Sequence, residues 1–258
     1  MEQRPQLVAS WFGTGSQGEM FRRLADVLEY SAVKHNPAWQ VNVAHLEPPP
    51  HPSAIGQPSH EWNTQKMEHW VQRALAAPNG ALVALLDGDT MVTGPLDEVW
   101  KKPFDVAYTI RDGDRLPLNA GVVFLRISDL TRAFMRDWWA WNLHFLNPMN
   151  YPDVNGQKEP HAFWRRRYAG INQASLGYML EKAPHGCQVL KLPCSIWNCC
   201  SWERYEEGET RIVHVKSALR RRVFQLPPIT PKTPKVQELC NLWHRMEAEA
   251  KAARALCA

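Results

Sequence analysis

Apolar residues fall in two rhythms along the first half of the chain, and their alternation predicts a layered α/β fold. Leu7 to Phe12 is a short apolar run that reads as a buried strand, followed by a glycine- and serine-rich loop from Gly13 to Gly18. Met20, Phe21, Leu24, Val27, Leu28 and Ser31 then recur at helical spacing. Gln40 to Leu46 alternates, with Val41 and Val43 on one side, as a strand does. Strand, glycine loop, helix, strand is the pattern of a parallel βαβ unit.

The same logic extends along the chain. The prolines at 48, 49, 50 and 52 forbid a helix and predict a loop over 47–60. Met67, Trp70, Val71 and Ala74 mark an amphipathic helix that stops at Pro78-Asn79-Gly80. Ala81 to Leu86 is an unbroken apolar run, as expected of a central strand covered on both faces. Residues 105–110, 121–125, 189–192 and 210–215 read as further strands. Phe134, Trp138, Trp141 and Phe145 line one helix face, and Leu176, Met179 and Leu180 another. Residues 147–168 read as a long loop ending in Trp164-Arg165-Arg166-Arg167-Tyr168. A last helix is expected from Val236 to about Leu256, packed across the back of the domain. The whole predicts one α/β domain over 1–258, with a mostly parallel central sheet and helices on both faces.

Composition narrows the function classes only a little. The 258 residues carry a net charge of +4, which permits an acidic partner without requiring one. No apolar run is long enough for a transmembrane helix, and Met1 to Gln6 lack a signal peptide's apolar region. The six cysteines form no C-x-x-C pair, and two are adjacent, so reduced thiols in a cytoplasmic protein are expected. A zinc site drawn from Cys194, Cys199, Cys200 and His185 has irregular spacing. Twelve tryptophans supply core volume or stacking surface.

The candidate chemistry sits at the end of the central strand. Ligands of open α/β sheets gather at the carboxyl ends of strands, and Asp87-Gly88-Asp89 follows directly there. Residues i and i+2 of an extended stretch point the same way, so the two carboxylates form an oxygen-rich site suited to Mg²⁺ or Mn²⁺. Gly88 between them lets a ligand approach the backbone. Alone, the tripeptide reads as a solvated turn; the pattern around it decides otherwise.

Five segments, in order, carry a resemblance to glycosyltransferase family 8, the glycogenins and bacterial galactosyltransferases. Lys66-Met67-Glu68-His69-Trp70 resembles the K-L-x-x-W helix, and residues 85–96 the D-x-D segment. Leu118-Asn119-Ala120-Gly121-Val122-Val123 resembles F-N-[SA]-G-V, and Ile171-Asn172-Gln173-Ala174 resembles D-Q-[DG]. His214-Val215-Lys216-Ser217-Ala218-Leu219-Arg220 resembles H-F-x-G-x-x-K. The resemblance covers roughly 7–224 and implies a GT-A, Rossmann-like fold in a distant branch. It implies a metal-dependent hexosyltransferase using a nucleotide-sugar donor, expected to be a UDP-hexose, with retention of configuration.

Residue by residue, the resemblance implies Asp87, Asp89 and His214 as ligands of Mn²⁺ (or Mg²⁺). Lys66 would hold donor phosphate or sugar, and Lys216, the Ser217 backbone N–H and Arg220 the diphosphate. Asn119 would touch the donor sugar. Asn172 and Gln173, near the anomeric carbon, join Asp89 as the catalytic candidates. Trp11, with Phe12 beside it, is placed to stack on the base. Residues 7–125 would form the donor half, 126–224 the acceptor half and 235–257 the C-terminal helix.

The chain departs from the family's pattern with Asn at 172, Ala at 174, Ser at 217, and Arg at 220 where the family has Lys; Arg221-Arg222 replace the usual Pro-Trp. The metal site carries over better than the acceptor side. The acceptor stays open: a glycan, a lipid-linked sugar or a hydroxymethylated DNA base. For the last, the basic triplets 165–167 and 220–222 would grip phosphate, with Trp164 and Tyr168 available to stack. Asp112-Gly113-Asp114 is a minor contender for the metal. A nucleotidyltransferase and an inert nucleotide-sugar-binding module are the alternatives to glycosyl transfer.

Overall fold

The apolar run at 82–86 becomes a central strand, and the rest of the fold is arranged around its carboxyl end. The computed structural model describes residues 4–47, 58–111, 117–147, 160–182, 186–226 and 233–257. The first βαβ unit is β1 (Gln6–Phe12), α1 (Gly15–His35) and β2 (Gln40–Leu46), followed by α2 (Pro58–Ala76), β3 (Leu82–Asp87) and the short β4 (Thr90–Val92). Then come β5 (Val106–Ile110), β6 (Leu118–Arg126), α3 (Asp129–Leu146), α4 (Pro160–Tyr168) and α5 (Ile171–Lys182). The chain closes with β7 (Val189–Pro193), α6 (Cys194–Trp197), β8 (Ile212–His214), α7 (Ser217–Val223) and α8 (Pro234–Cys257).

Six strands form one sheet in the order β2-β1-β3-β6-β5-β7. The pairs β1–β2, β1–β3 and β5–β7 are parallel, and β6 is antiparallel to β3 and β5. Five strands therefore point one way and only β6 runs against them. The expected α/β domain with a mostly parallel sheet between helices is the one that forms. Because β3, β5 and β7 share a direction, their carboxyl ends meet at one edge of the sheet, where a ligand has room to bind.

Both faces are covered. Val8, Leu85, Val123 and Leu125 bury against α2, α3 and α5 together with Trp70, Phe134 and Trp138. Leu7, Leu86, Val122 and Phe124 bury on the other face with Leu28, Trp39 and Trp197. At about 25 cal/mol per Å² of apolar surface, each large buried ring adds a few kcal/mol to folding. A third cluster lies under α8, where Leu239, Trp243 and Met246 meet Leu24 and Val27 of α1 and Leu219 and Val223 of α7. Arg23 fastens that contact, 2.5 Å from Glu247 and stacked over Phe224 and Trp243. None of the described helices is long and apolar enough to cross a membrane.

Two expectations change. The end of the expected 147–168 loop is helix α4, because Trp164 and Tyr168, four residues apart, stack at 5.7 Å and bury against Tyr178 of α5. Three charged residues in a row hid that apolar spacing. Residues 148–159 of the same stretch, Asp112-Gly113-Asp114 and His185 lie outside the described residues. The strand expected over 210–215 shortens to β8, and it does not join the main sheet; it pairs with β4, which had no expected counterpart. A three-residue strand inside a motif carries no periodicity to detect.

Candidate metal and nucleotide-sugar site

The short β4–β8 ladder brings distant residues together at the sheet edge. Thr90 pairs with His214, and the Val215 amide donates to the Asp89 carbonyl at 2.8 Å. Ser31 of α1 and Asn36, which caps that helix, hold the segment after Asp89 from behind, accepting from the amides of Val92 at 3.1 Å and Leu96 at 2.8 Å. Gly88 lies hard against β1: a Cβ there would stand 2.2 Å from the Ser10 carbonyl oxygen. Only glycine allows the turn to press this close.

The outcome is a compact donor set. One ligand atom each from Asp87, Asp89 and His214 lies within 4.8 Å of the others, the sole such group of three or more among the described residues. The His214 Nε2 stands 3.0 Å from Asp89 Oδ1 and 3.6 Å from Asp87 Oδ2. An octahedral ion with ligands at about 2.1 Å sets neighbouring donor atoms about 3 Å apart, so the spacing suits a small divalent cation. A Cβ on Gly121 would come within 2.6 Å of Asp87 Oδ2 and 2.8 Å of His214 Cε1. That glycine keeps space open beside the donor atoms. The set has two hard carboxylates and one imidazole, a mixture that suits Mn²⁺ as well as Mg²⁺.

A buried polar network aims the imidazole. His214 Nδ1 lies 2.9 Å from Asn198 Oδ1, so an Nδ1–H donating there turns Nε2 toward the carboxylates, where it would take a metal in place of its proton. Asn198 is itself held, donating to Thr109 Oγ1 at 3.0 Å, and Thr109 donates to the Asn119 carbonyl at 2.7 Å. Cys200 Sγ accepts from Asn119 Nδ2 at 3.0 Å on the same side. Asn198 belongs to no expected motif, and Cys200 only to the irregularly spaced zinc set. Their sequence positions give no sign of it, because the contact depends on how 194–200 wraps behind β8.

Charge at this corner is buried and paired. Lys66, only 3% exposed, pairs with Asp87 and lies 4.5 Å over the Trp70 ring. Arg220 pairs with Asp89, donates to the Val215 carbonyl at 3.0 Å and sits over the Phe21 ring. Burial would raise the Asp89 carboxyl, but His214 and Arg220 outweigh it and hold it far below the usual carboxylate range. Burial would lower His214, and Asp89 outweighs that and raises it.

A cleft of about 350 Å³ opens in front of the two aspartates. Its walls include Lys66, Arg220, Trp11 and Phe12, which expectation placed here, and Phe21 and Trp62, which it did not. Trp11 stacks on His45 at 4.0 Å and Phe12 on Trp62 at 4.6 Å, so the aromatic walls are braced from behind. The buried His214 and Asn119 lie behind the carboxylates rather than on the walls. Lys216 precedes the first turn of α7 and adds positive charge near Asp89. Ser217 follows with a left-handed φ of 49°, the conformation that glycine favours. Gln173 also stands apart from the cleft. Its amide donates to the carbonyls of Tyr168 at 2.7 Å and Ala169 at 2.6 Å and accepts from the Ala120 amide at 3.2 Å. Asn172 is buried, its Oδ1 accepting from the Gln173 backbone N–H. Trp164 and Tyr168 are 5% and 3% exposed, so the structure closes the expected base-stacking role for their rings.

No family model matches the sequence, and no curated protein does either. Solved structures do match. A glycosyltransferase involved in glycosylation of the major capsid of PBCV-1 is 14% identical, with a TM-score of 0.56 over 84% of this chain and 96% of that one. The apo form of the glycosyltransferase GlyE of Streptococcus pneumoniae TIGR4 is 14% identical, with a TM-score of 0.57. That match takes in 98% of this chain but only 64% of GlyE, so the chain spans just under two thirds of that neighbour. What the chain shares with these proteins is its architecture, the fold of the GT-A glycosyltransferases.

Proposed function

We propose that the protein is a metal-dependent glycosyltransferase that moves a hexose from a nucleoside-diphosphate sugar, a UDP-hexose first among them, to a hydroxyl acceptor. The observation that carries the reading is the convergence of Asp87, Asp89 and His214 at a cleft that also presents Lys66 and Arg220. Two anionic side chains, an imidazole and two cations around one opening match the needs of a metal-bridged diphosphate. The GT-A fold and the five family-8-like blocks support the same reading. A nucleotidyltransferase would want a third carboxylate beside the pair; histidine stands there instead.

In this reading Asp87, Asp89 and His214 hold Mn²⁺ or Mg²⁺, which when bound neutralises charge on the departing diphosphate. Arg220 offers that diphosphate a planar fork of N–H donors, and Lys66 a compact charge. Lys216 and the Ser217 amide flank the same group. Trp11 and Phe12 form the stacking wall for the base; Asn119, which the resemblance assigns to the donor sugar, is bonded to Cys200 and Gly121 behind the carboxylates and supports the site from there. Residues 7–125 then serve the donor and 126–224 shape the acceptor side. The Gln173 amide acts as a positioning group, because its contacts with Ala120 set where Asn119 stands. Neither Asn172 nor Gln173 can act as a carboxylate nucleophile, which favours a front-face displacement with the acceptor hydroxyl attacking from the leaving-group side and configuration retained. A β-linked product from an α-linked donor would overturn retention. Reduced thiols such as Cys194, Cys199 and Cys200 suit a cytoplasmic place of action.

The test is a donor screen. The protein is incubated with Mn²⁺ and a panel of UDP-, GDP- and ADP-sugars, and release of nucleoside diphosphate is followed, with Asp89→Ala as control. Release from one donor, lost in the variant, is expected; equal release by the variant would sink the reading.

A further inference from the structure

A second cleft, of about 520 Å³, lies at the β7 edge of the sheet and belongs to none of the machinery above. Its floor is apolar and aromatic, with Leu118, Leu180 and the rings of Tyr108 and Tyr168. Its charged lining is Arg111, Arg167, Lys191 and Glu181. Glu181 is already committed, bonded to the Tyr168 hydroxyl and 3.1 Å from Arg167. Among the described residues no carboxylate pairs with Arg111 or Lys191, and the Arg111 Nε is buried without a hydrogen-bond partner. Leaving a guanidinium N–H unsatisfied in a buried setting costs free energy that an incoming anion would recover. Among the described residues of the lining, cations are thus in excess and the one carboxylate is spent.

Its position ties it to the first cleft. β5 and β7 run parallel to β3, so Arg111, next after β5, and Asp87 stand at the same edge of the sheet. Tyr108 pairs directly with Lys191 across the β5–β7 ladder. Three strand spacings separate β3 from β7, about 14 Å at ~4.8 Å each. A short glycan bridges that span. The first two residues of β6 join the clefts: Leu118 lines the second, while Asn119 belongs to the network behind the metal ligands.

We propose that this second cleft seats the anionic end of the acceptor, a sugar or short glycan bearing a phosphate monoester or a carboxylate, with Arg111 and Lys191 as its charge-recognising groups. The acceptor role rests on the glycosyltransfer reading; the binding of an anionic sugar here does not, and can be measured by itself. A stretched nucleic acid strand fits less well, because the two tyrosine rings are buried in the floor and offer no open face for stacking.

The experiment is calorimetric titration of the full-length protein, without metal or donor, with glucose 6-phosphate, glucuronate, glucose and a short single-stranded oligonucleotide. At least one charged sugar is expected to bind about tenfold or more tightly than glucose, as charge-assisted hydrogen bonds allow. Phosphate against carboxylate tells which anion is preferred. Lys191→Ala and Arg111→Met are each expected to lose about tenfold of that affinity, Lys191→Arg to keep most of it, and Asp89→Ala to bind as the parent does. The last separates this cleft from the donor site: retained binding with no donor turnover in any variant would remove the glycosyltransfer reading alone. Equal binding of charged and neutral sugars, no binding by either charged sugar, affinity unmoved in Lys191→Ala and Arg111→Met, or preference for the oligonucleotide would each overturn the proposal.

Discussion

The two clefts at the carboxyl edge of the sheet handle charge in opposite ways. Around Asp87 and Asp89 both carboxylates are matched, by Lys66, Arg220 and His214. Around Arg111 and Lys191 the described residues leave cations over, because the nearby Glu181 is held by Tyr168 and Arg167. Pairing offsets the cost of taking charge out of water, and the first cleft brings its own counter-charges. The second leaves cations, the buried Arg111 Nε among them, for a ligand to balance. The first arrangement suits an invariant chemical group, a metal and a diphosphate; the second suits recognition of a partner by charge.

The largest effect should come from removing one member of the matched set. Asp89→Ala deletes a metal ligand and strands Arg220, so Mn²⁺-dependent release of nucleoside diphosphate should fall by about a thousandfold or more. Far-ultraviolet circular dichroism should confirm that the fold is kept. Activity within a fewfold of the parent would place the chemistry elsewhere.

The next effect sharpens what the buried network is for. Asn198 touches no solvent and would never meet a ligand, yet it fixes which nitrogen of His214 faces the carboxylates. Asn198→Ala should weaken Mn²⁺ binding about 10- to 100-fold, the usual cost of losing such a partner. Electron paramagnetic resonance of free Mn²⁺ reads this directly. Unchanged affinity in a folded variant would show that the tautomer is set without it.

Trp11→Ala probes the wall rather than the charge. Loss of a stacking face should weaken UDP binding about tenfold, with Mn²⁺ affinity unaltered. Equal loss of both would mean that the variant had disturbed β1 itself. The smallest effect concerns Ser217, whose φ of 49° costs a side-chain-bearing residue about 1 kcal/mol. Ser217→Gly should therefore stabilise the protein by several tenths to about 1 kcal/mol in urea unfolding, since glycine's greater freedom in the unfolded chain takes back part of the gain. Destabilisation would show that the serine hydroxyl supports the turn.

The same contrast explains what the sequence displays. β1, β3, α1, α2 and α8 were legible because burial on one or two faces writes a periodicity into the residues. The end of an apolar run placed Asp87 and Asp89 at the carboxyl edge of a sheet, but only the family resemblance turned that solvated turn into a metal site. His214, more than a hundred residues away, came only through a family resemblance, since nothing local says that β8 pairs with β4. Asn198 and Cys200 were hidden for a stronger reason: a polar residue turned inward leaves no pattern. α4 was hidden by its own arginines, whose charges masked the Trp164 and Tyr168 spacing. The second cleft could not be read at all, because it exists only once α5, β5 and β7 are brought together.

In the proposed function a divalent ion joins the Asp87, Asp89 and His214 side chains to a nucleoside diphosphate. Thermal unfolding of the protein with UDP, with and without Mn²⁺, tests it most directly, because a ligand stabilises the folded state only as far as it binds that state. The prediction is that UDP raises the melting temperature with Mn²⁺ present, does so far less without it, and loses the effect in Asp89→Ala. Equal stabilisation by UDP with and without the metal, or none in either condition, would contradict it.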